Sequence, residues 1–246
     1  MRKHCGWAVL LLAAGVAGCG GGSEGAEESE GFQAAEYSGG GEQRSEEEEV
    51  QIQGLMGTLN PDDVQLALEP KMQRFAQCFA SRYGELELVG GHFRMAFRVG
   101  NDGSVEWVFP RRSTVGDRDT ERCLLDVARR TRFREPRGGD AAEFEWSLDF
   151  DPPEDVRPPF NWDAANAGDT LAEHGREVLS QCRPRGVRAR YLVTAYVAPG
   201  GTVMAAGAAA DAAEAADSLD CVSDAVRAWE LPDPGSYPAK ITFVLE

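Results

Sequence analysis

Phe93, Met95, Phe97 and Val99 alternate with His92, Arg94, Ala96 and Arg98, and a period of two predicts a half-buried strand. Gly100-Asn101-Asp102-Gly103 turns the chain, and Val105, Trp107 and Phe109 alternate again, which completes a β-hairpin. A closing strand carries Phe144, Trp146, Leu148 and Phe150. All these apolar positions, Trp107 and Phe109 included, are expected to face two helices. The first opens at Asn60-Pro61-Asp62-Asp63, where a capping Asn, a first-turn Pro and two acids coincide. Val64, Leu68, Met72, Phe75, Cys78 and Phe79 continue its face, with a restart at Pro70 and a stop at Gly84. The second spans Asp117 to Thr131 and buries Cys123, Leu124, Val127 and Ala128. The order is helix, strand, strand, helix, strand.

The same order returns further on. A helix from about Asp169 carries Leu171, Val178, Leu179 and Cys182, and a strand follows with Tyr191, Val193, Ala195 and Val197. The chain turns at Pro199-Gly200-Gly201 and returns through Val203 and Ala205. An alanine-rich helix is expected over Asp211 to Trp229, and Ile241, Phe243 and Leu245 close the unit. A constant offset of 98 maps Cys123, Asp126 and Arg129 onto Cys221, Asp224 and Arg227, and Gly103 and Pro136 onto Gly201 and Pro234. Such a register marks an internal duplication. Gln77-Cys78 matches Gln181-Cys182 at an offset of 104, so the second copy is shorter before its first strand. It also reads as lighter, with Ala195 for Phe97 and Ala205 for Trp107. We expect a first domain over 58–151, a Pro-rich linker over 152–166 and a second domain over 167–246. Each copy has a full set of apolar faces and is expected to fold on its own.

Upstream of these copies the pattern changes. Arg2, Lys3 and His4 precede an apolar run from Trp7 to Val16, too short for a stable span and shaped like a signal segment over 1–18. Val16-Ala17-Gly18-Cys19 resembles the lipobox of bacterial lipoproteins, which implies a lipid on Cys19 and attachment to a membrane. Gly20 stands where an aspartate retains many lipoproteins at the inner membrane, so periplasmic-side anchoring to the outer membrane is expected. Residues 19–57 are rich in Gly and Glu, with ten glutamates and one arginine between Gly20 and Val50. Too little apolar surface is present there to offset the entropy of ordering, and a disordered acidic tether is expected.

The whole chain carries 41 acidic against 25 basic residues, for a net charge of −16. That balance argues against nucleic acid as a partner, since its phosphates require clustered Lys and Arg. One basic region stands out. Arg111, Arg112, Arg118, Arg122, Arg129 and Arg130 crowd the second helix and its approach, a face suited to an anionic partner. An ordinary charge-paired helix surface is the plainer reading. Asp126 with Arg129, and Asp224 with Arg227, have the spacing of local ion pairs.

Besides Cys5 and Cys19, four cysteines remain, two per copy at matching places: Cys78, Cys123, Cys182 and Cys221. In an exported chain such a set reads as disulfides. Two helices covering one sheet face bring small inward residues close enough to bond, which gives Cys78–Cys123 and Cys182–Cys221. Free or metal-bound thiols are the alternative, but no Cys-x-x-Cys or histidine pair suggests a metal site, and no cofactor motif occurs. His92 and His174 lie far apart with no nucleophile beside either, so no catalytic site is expected.

The helix-strand-strand-helix-strand order, with Gly103-Ser104-Val105 or Gly201-Thr202-Val203 in the hairpin and Pro136 or Pro234 before the last strand, resembles the C-terminal domain of TonB. The paired cysteines bring it nearer to the AgmX/PglI C-terminal domain family of myxobacterial envelope and gliding proteins. Gln77-Cys78, Asp102-Gly103-Ser104-Val105, Glu121-Arg122-Cys123-Leu124-Leu125 and Phe133-x-x-Pro136 carry the likeness in the first copy; in the second, Asp220 replaces the arginine before the cysteine. It covers most of 60–150 and 168–246, and nothing upstream. The resemblance implies an α+β fold of two tandem αββαβ domains, each with two helices on a small antiparallel sheet. It also implies a non-catalytic interaction or scaffolding role in the cell envelope, with a protein partner adding a strand to an open sheet edge. The alternative is a ligand-binding lipoprotein whose site lies between the domains or on the arginine-rich face.

Overall fold

A computed structural model describes residues 56–246, which belong to one compact unit. The signal segment, Cys19 and most of the acidic stretch lie outside the described residues. The fold is α+β. Helices α1 (Pro61–Leu68) and α2 (Met72–Ala80) lead into β1 (Gly91–Gly100), β2 (Val105–Ser113), α3 (Arg118–Arg129) and β3 (Ala141–Phe150). Next come β4 (Phe160–Trp162), α4 (Gly168–Cys182), β5 (Tyr191–Val197), β6 (Val203–Ala210), α5 (Leu219–Arg227) and β7 (Ala239–Leu245). One sheet has the order β2-β1-β3 and the other β4-β7-β5-β6.

Local chemistry sets the helix starts. Asn60 Oδ1 accepts from the Asp62 amide at 3.0 Å, and Pro61 occupies the first turn of α1. Asp117 caps α3 by accepting from the Thr120 amide at 3.0 Å. The duplicated glycines have one job in both copies. Gly103 and Gly201 have positive φ, and a Cβ on either would collide with the carbonyl of Phe133 or Leu231. The same two segments are hydrogen-bonded to each other: Phe133 N–H donates to Gly103 O, and Leu231 N–H to Gly201 O, both at 2.9 Å. Only glycine permits this approach of the hairpin turn to the segment after the second helix.

Cys78 on α2 is bonded to Cys123 on α3, and Cys182 on α4 to Cys221 on α5, with Cα separations of 5.6 and 5.5 Å. Above the first sheet, Phe79 stacks on Phe150 and Phe97 on Phe144, with Phe75 against Trp146. These contacts obey the strand alternation.

Trp107 and Phe109 do not. The β1–β2 register shifts twice, so that Arg94 faces Arg112 but Met95 faces Pro110, and Arg98 faces Trp107 but Val99 faces Val105. Arg111 and Glu106 are thereby extra residues, and each bulge flips the rest of the strand beyond it to the other face. Val108, opposite Phe97, is the residue that meets the helices. Trp107 and Phe109 lie with Arg98 and Ala96 on the outer face, contrary to the period-two reading.

Three further expectations change. The alanine-rich segment does not form one helix from Asp211 to Trp229: β6 runs to Ala210, a 3-10 turn covers Ala213–Ser218, and α5 occupies only Leu219–Arg227. The stretch 152–166 is not linker throughout, because Phe160–Trp162 pairs in parallel with Ala239–Ile241 as β4. Nor is Ala205 a missing core residue. It belongs with Tyr196 to the apolar cluster of the first half, so the two cores are not divided by copy. The outer face of β5 and β6 is covered by the first half, and its small residues Ala205, Gly207 and Ala209 allow the close approach.

That interface contains several deeply buried polar groups. Glu121 on α3 is fully buried; Ser113 Oγ donates to its Oε1 at 2.6 Å, and Ala208 N–H and Arg118 donate to Oε2 at 3.2 and 3.4 Å. Arg118 also donates to Asp220 at 2.7 Å. At its other end, Tyr196 OH accepts from Gly90 N–H and donates to Gly90 O, each at 3.2 Å, and Lys240 Nζ donates to the same carbonyl at 2.7 Å.

Candidate functional site: a free strand edge beside an apolar groove

β3 is an outer strand, and its ten residues pair with β1 from Gly91↔Phe150 to Gly100↔Ala141 without a register shift. An unbulged strand of this length presents a straight row of backbone donors and acceptors. On its outer side the only bridge among the described residues is Gly57↔Ala142, parallel, next to the Thr58↔Arg137 pair. From Glu143 to Phe150 no described strand pairs with that edge.

The duplicated position shows what the edge accepts. Ala142 lies opposite Val99, and its counterpart opposite Val197 is Ala239, which pairs in parallel with Phe160 of β4. In each half, then, the segment leading into the first helix lies along the start of the last strand. In the first half it is reduced to one bridge, and in the second it is a three-residue strand.

Beside the free part of β3 lies a groove of 340 Å³ lined by Leu59, Pro61, Val64 and Gln65 of the α1 end and by Phe144, Glu145 and Trp146. Leu59, Val64, Phe144 and Trp146 are half-buried. Leu66 and Met72 on the same helical layer are exposed at 62% and 44%. Phe144 and Trp146 read as core from the alternation alone, but no groove was legible, since the sequence places α1 along the chain and not beside β3. The outward side chains of β3 are tied across the sheet: Glu143 to Arg98 at 2.8 Å, Glu145 to Arg94 at 3.6 Å, and Asp149 to His92 Nδ1 at 2.9 Å. They leave the backbone edge uncovered.

The arginines do not form one face. Arg118, Arg122 and Arg129 line a cleft of 550 Å³ between the halves, near Trp107 and Phe109 and opposite Asp217 and Asp220. Their charges are matched there: Arg118 and Arg122 both bind Asp220, at 2.7 and 3.0 Å, and Arg129 binds Asp126 at 3.2 Å. Burial works to raise the Asp220 carboxyl, but its hydrogen bonds from Arg122 and Arg118 outweigh this and hold it below the usual range. Arg111 sits 3.4 Å from Glu145 in a different cleft. Arg130 is exposed, and among the described residues neither it nor Arg112 has a carboxylate partner. Asp224 and Arg227 likewise form no ion pair among the described residues, unlike Asp126 and Arg129. His174 packs against Trp229, 5.7 Å between ring centres.

The missed groups are Glu121 and Lys240. Burial pushes the Glu121 carboxyl up to about 7 against the pull of Arg118 and its other donors, and burial lowers Lys240 to about 8. An acid within the buried stretch of α3 and alternating small residues on β6 were the available signals.

The fold and this site thus define an α+β protein with a three-stranded and a four-stranded sheet, in which the outer edge of β3 is open from Glu143 to Phe150 among the described residues. Comparison with protein-family models, with curated proteins and with solved structures finds no match.

Proposed function

We propose that the protein is a lipid-anchored component of the cell envelope, held through Cys19 on the periplasmic side of the outer membrane, and that its folded part is a non-catalytic interaction or scaffolding module. In this reading the copies are tandem TonB-C-terminal-like domains of the AgmX/PglI kind. A partner protein contributes an extended segment that adds to β3 and sets alternate apolar side chains into the groove of Leu59, Val64, Phe144 and Trp146. The observation that carries it is the unpaired edge of β3 from Glu143 to Phe150 beside that groove. Backbone pairing supplies general affinity and the groove supplies selectivity.

The test places a photoreactive amino acid at Gln65, in the groove, and at Arg130 as a control, in the full chain within its native envelope. Crosslinks to one envelope protein from Gln65 but not from Arg130 are expected. Equal labelling from both positions, or none from Gln65, would overturn the reading.

A further inference from the structure

Arg94 on β1 and Arg112 on β2 are direct cross-strand partners on the outer face of the first sheet. Like charges so placed repel, which destabilises the pair relative to neutral residues. The neighbouring bulge residue Arg111 adds a third cation, and Arg190, just before β5, a fourth. Two carboxylates lie among them. Asp211 is taken by Arg190, which reaches it at 3.0 Å. Glu145 is shared loosely between Arg94 and Arg111, at 3.6 and 3.4 Å. Arg112 has no carboxylate partner among the described residues. Four guanidinium groups against two carboxylates leave a local positive excess in a chain of net charge −16.

Arg94, Arg111 and Arg112 form one wall of a cleft of 380 Å³ between the two halves. The facing wall is built from the same part of the other copy. Arg94 plus the 98-residue offset is Leu192, and Leu192 is paired across its sheet with Val244 on one side and Ala209 on the other. So a row Ser147–Arg94–Arg112 faces a row Val244–Leu192–Ala209. Val244 is 53% exposed and Leu192 beside it is half-buried, so the second copy offers accessible hydrocarbon to the cleft. The first copy presents Arg94, Arg111 and Arg112, and the second presents Leu192 and Val244 beside the Arg190–Asp211 ion pair.

We infer that this cleft is a binding site for an organic phosphate, whose anionic head is held by Arg94, Arg111 and Arg112 and whose apolar body lies on Leu192 and Val244. Forked guanidinium donors suit a tetrahedral phosphate head, and the unpaired Arg112 supplies a free fork. The repulsion between Arg94 and Arg112 is relieved when the anion sits between them. This site shares only Glu145 with the β3 groove, and its Arg94, Arg111, Arg112, Leu192 and Val244 take no part in that groove, so either assignment can fail without the other.

The experiment titrates the purified full chain in a zwitterionic detergent with phenyl phosphate, with inorganic phosphate, and with a short-chain phosphatidate carried in the micelle. Saturable binding of phenyl phosphate is expected, tighter than that of inorganic phosphate and weakened by salt. Saturation by phosphatidate as well would assign the head to a lipid; phenyl phosphate alone would assign it to a soluble ester. Arg112→Gln should weaken phenyl phosphate about tenfold, the loss of one charge-assisted contact. Its thermal midpoint without ligand should not fall, since a like-charge pair is removed. Val244→Ser should erase the preference for phenyl over inorganic phosphate, and Arg130→Gln should change nothing. No saturable binding of either organic phosphate, or an Arg130→Gln loss equal to that of Arg112→Gln, overturns the proposal.

Discussion

The carboxyl of Glu121, in the first copy, accepts a hydrogen bond from the backbone amide of Ala208, in the second, at 3.2 Å. The neighbouring position explains why β6 is so poor in side chains. A Cβ on Gly207 would overlap Glu121 Oε1 and come within 3.0 Å of the Asp117 amide. The first copy's α3 and the bare outer face of β6 are therefore made for one another. Gly207→Ala should destabilise the fold by about 1–3 kcal/mol, as overpacking does. Glu121→Ala should cost at least as much, about 2–4 kcal/mol, because it leaves the Ser113 hydroxyl and the Ala208 amide without their acceptor while Arg118 keeps Asp220. Denaturant midpoints of both variants check the order.

Stability should dip near neutral pH. Glu121 has a folded value of about 7 against an ordinary 4.5, so between these the folded state binds a proton that the unfolded state has lost. Stability falls as pH rises through that window, by about 3 kcal/mol at most. Lys240 does the reverse: its folded value of about 8 lies below the ordinary 10.5, so stability rises again from pH 8 to 10.5. Glu121→Gln should flatten the acid limb and Lys240→Met the alkaline one. Chemical denaturation across pH 4–11 reads both, and a wild-type curve with its maximum at pH 7–8 would count against the two assignments.

Cys19→Ala should release the protein from membranes or leave its precursor unprocessed. Recovery of the wild type in the soluble periplasmic fraction, with no acyl mass on its N-terminal peptide, would contradict the anchor.

What the sequence disclosed depended on how far apart the interacting residues lie. Helix caps such as Asn60 and Asp117 act over three residues and are legible directly. The alternation of β1 and β3 holds because their register is unbroken. The faces of Trp107 and Phe109 were not legible, since one inserted residue in the β2 ladder inverts everything after it and leaves no mark in composition. The role of Ala205 is hidden for a different reason. A small residue on a strand signals either a poor core or a close neighbour, and only the position of the first copy decides between them. The β3 groove was hidden because α1 reaches β3 across about 80 residues of chain.

Reducing the disulfides should weaken the whole fold. Cys78–Cys123 and Cys182–Cys221 close loops with separations of 45 and 39 residues, and each should constrain the unfolded chain by about 4 kcal/mol. A lighter second core would make the C-terminal bond matter more. With Ala205 covered by the first half and Tyr191, Leu219 and Ile241 fully buried, the two should matter about equally. Paired Cys→Ala variants, compared by calorimetry, test that equality.

Unfolding should be cooperative across both copies. Two copies with separate cores would unfold in two steps, and a fragment spanning 60–159 would fold as well alone as in the chain. The contacts between the halves argue otherwise. Tyr196 and Ala205 complete the apolar cluster of the first half, and Lys240 and Tyr196 both bind the Gly90 backbone. Removing the second half uncovers the buried side chains of Glu121 and Ser113 and exposes the apolar surface beneath Tyr196. Burying one large aromatic side chain contributes on the order of 2–3 kcal/mol, a sizeable part of the roughly 5–15 kcal/mol typical of a domain. The full chain should therefore unfold in a single transition with its disulfides intact, and the 60–159 fragment should unfold at clearly lower denaturant than the first half does within the whole. Two resolved calorimetric transitions, one of them matching the isolated fragment, would show that the interface is too weak to join the copies.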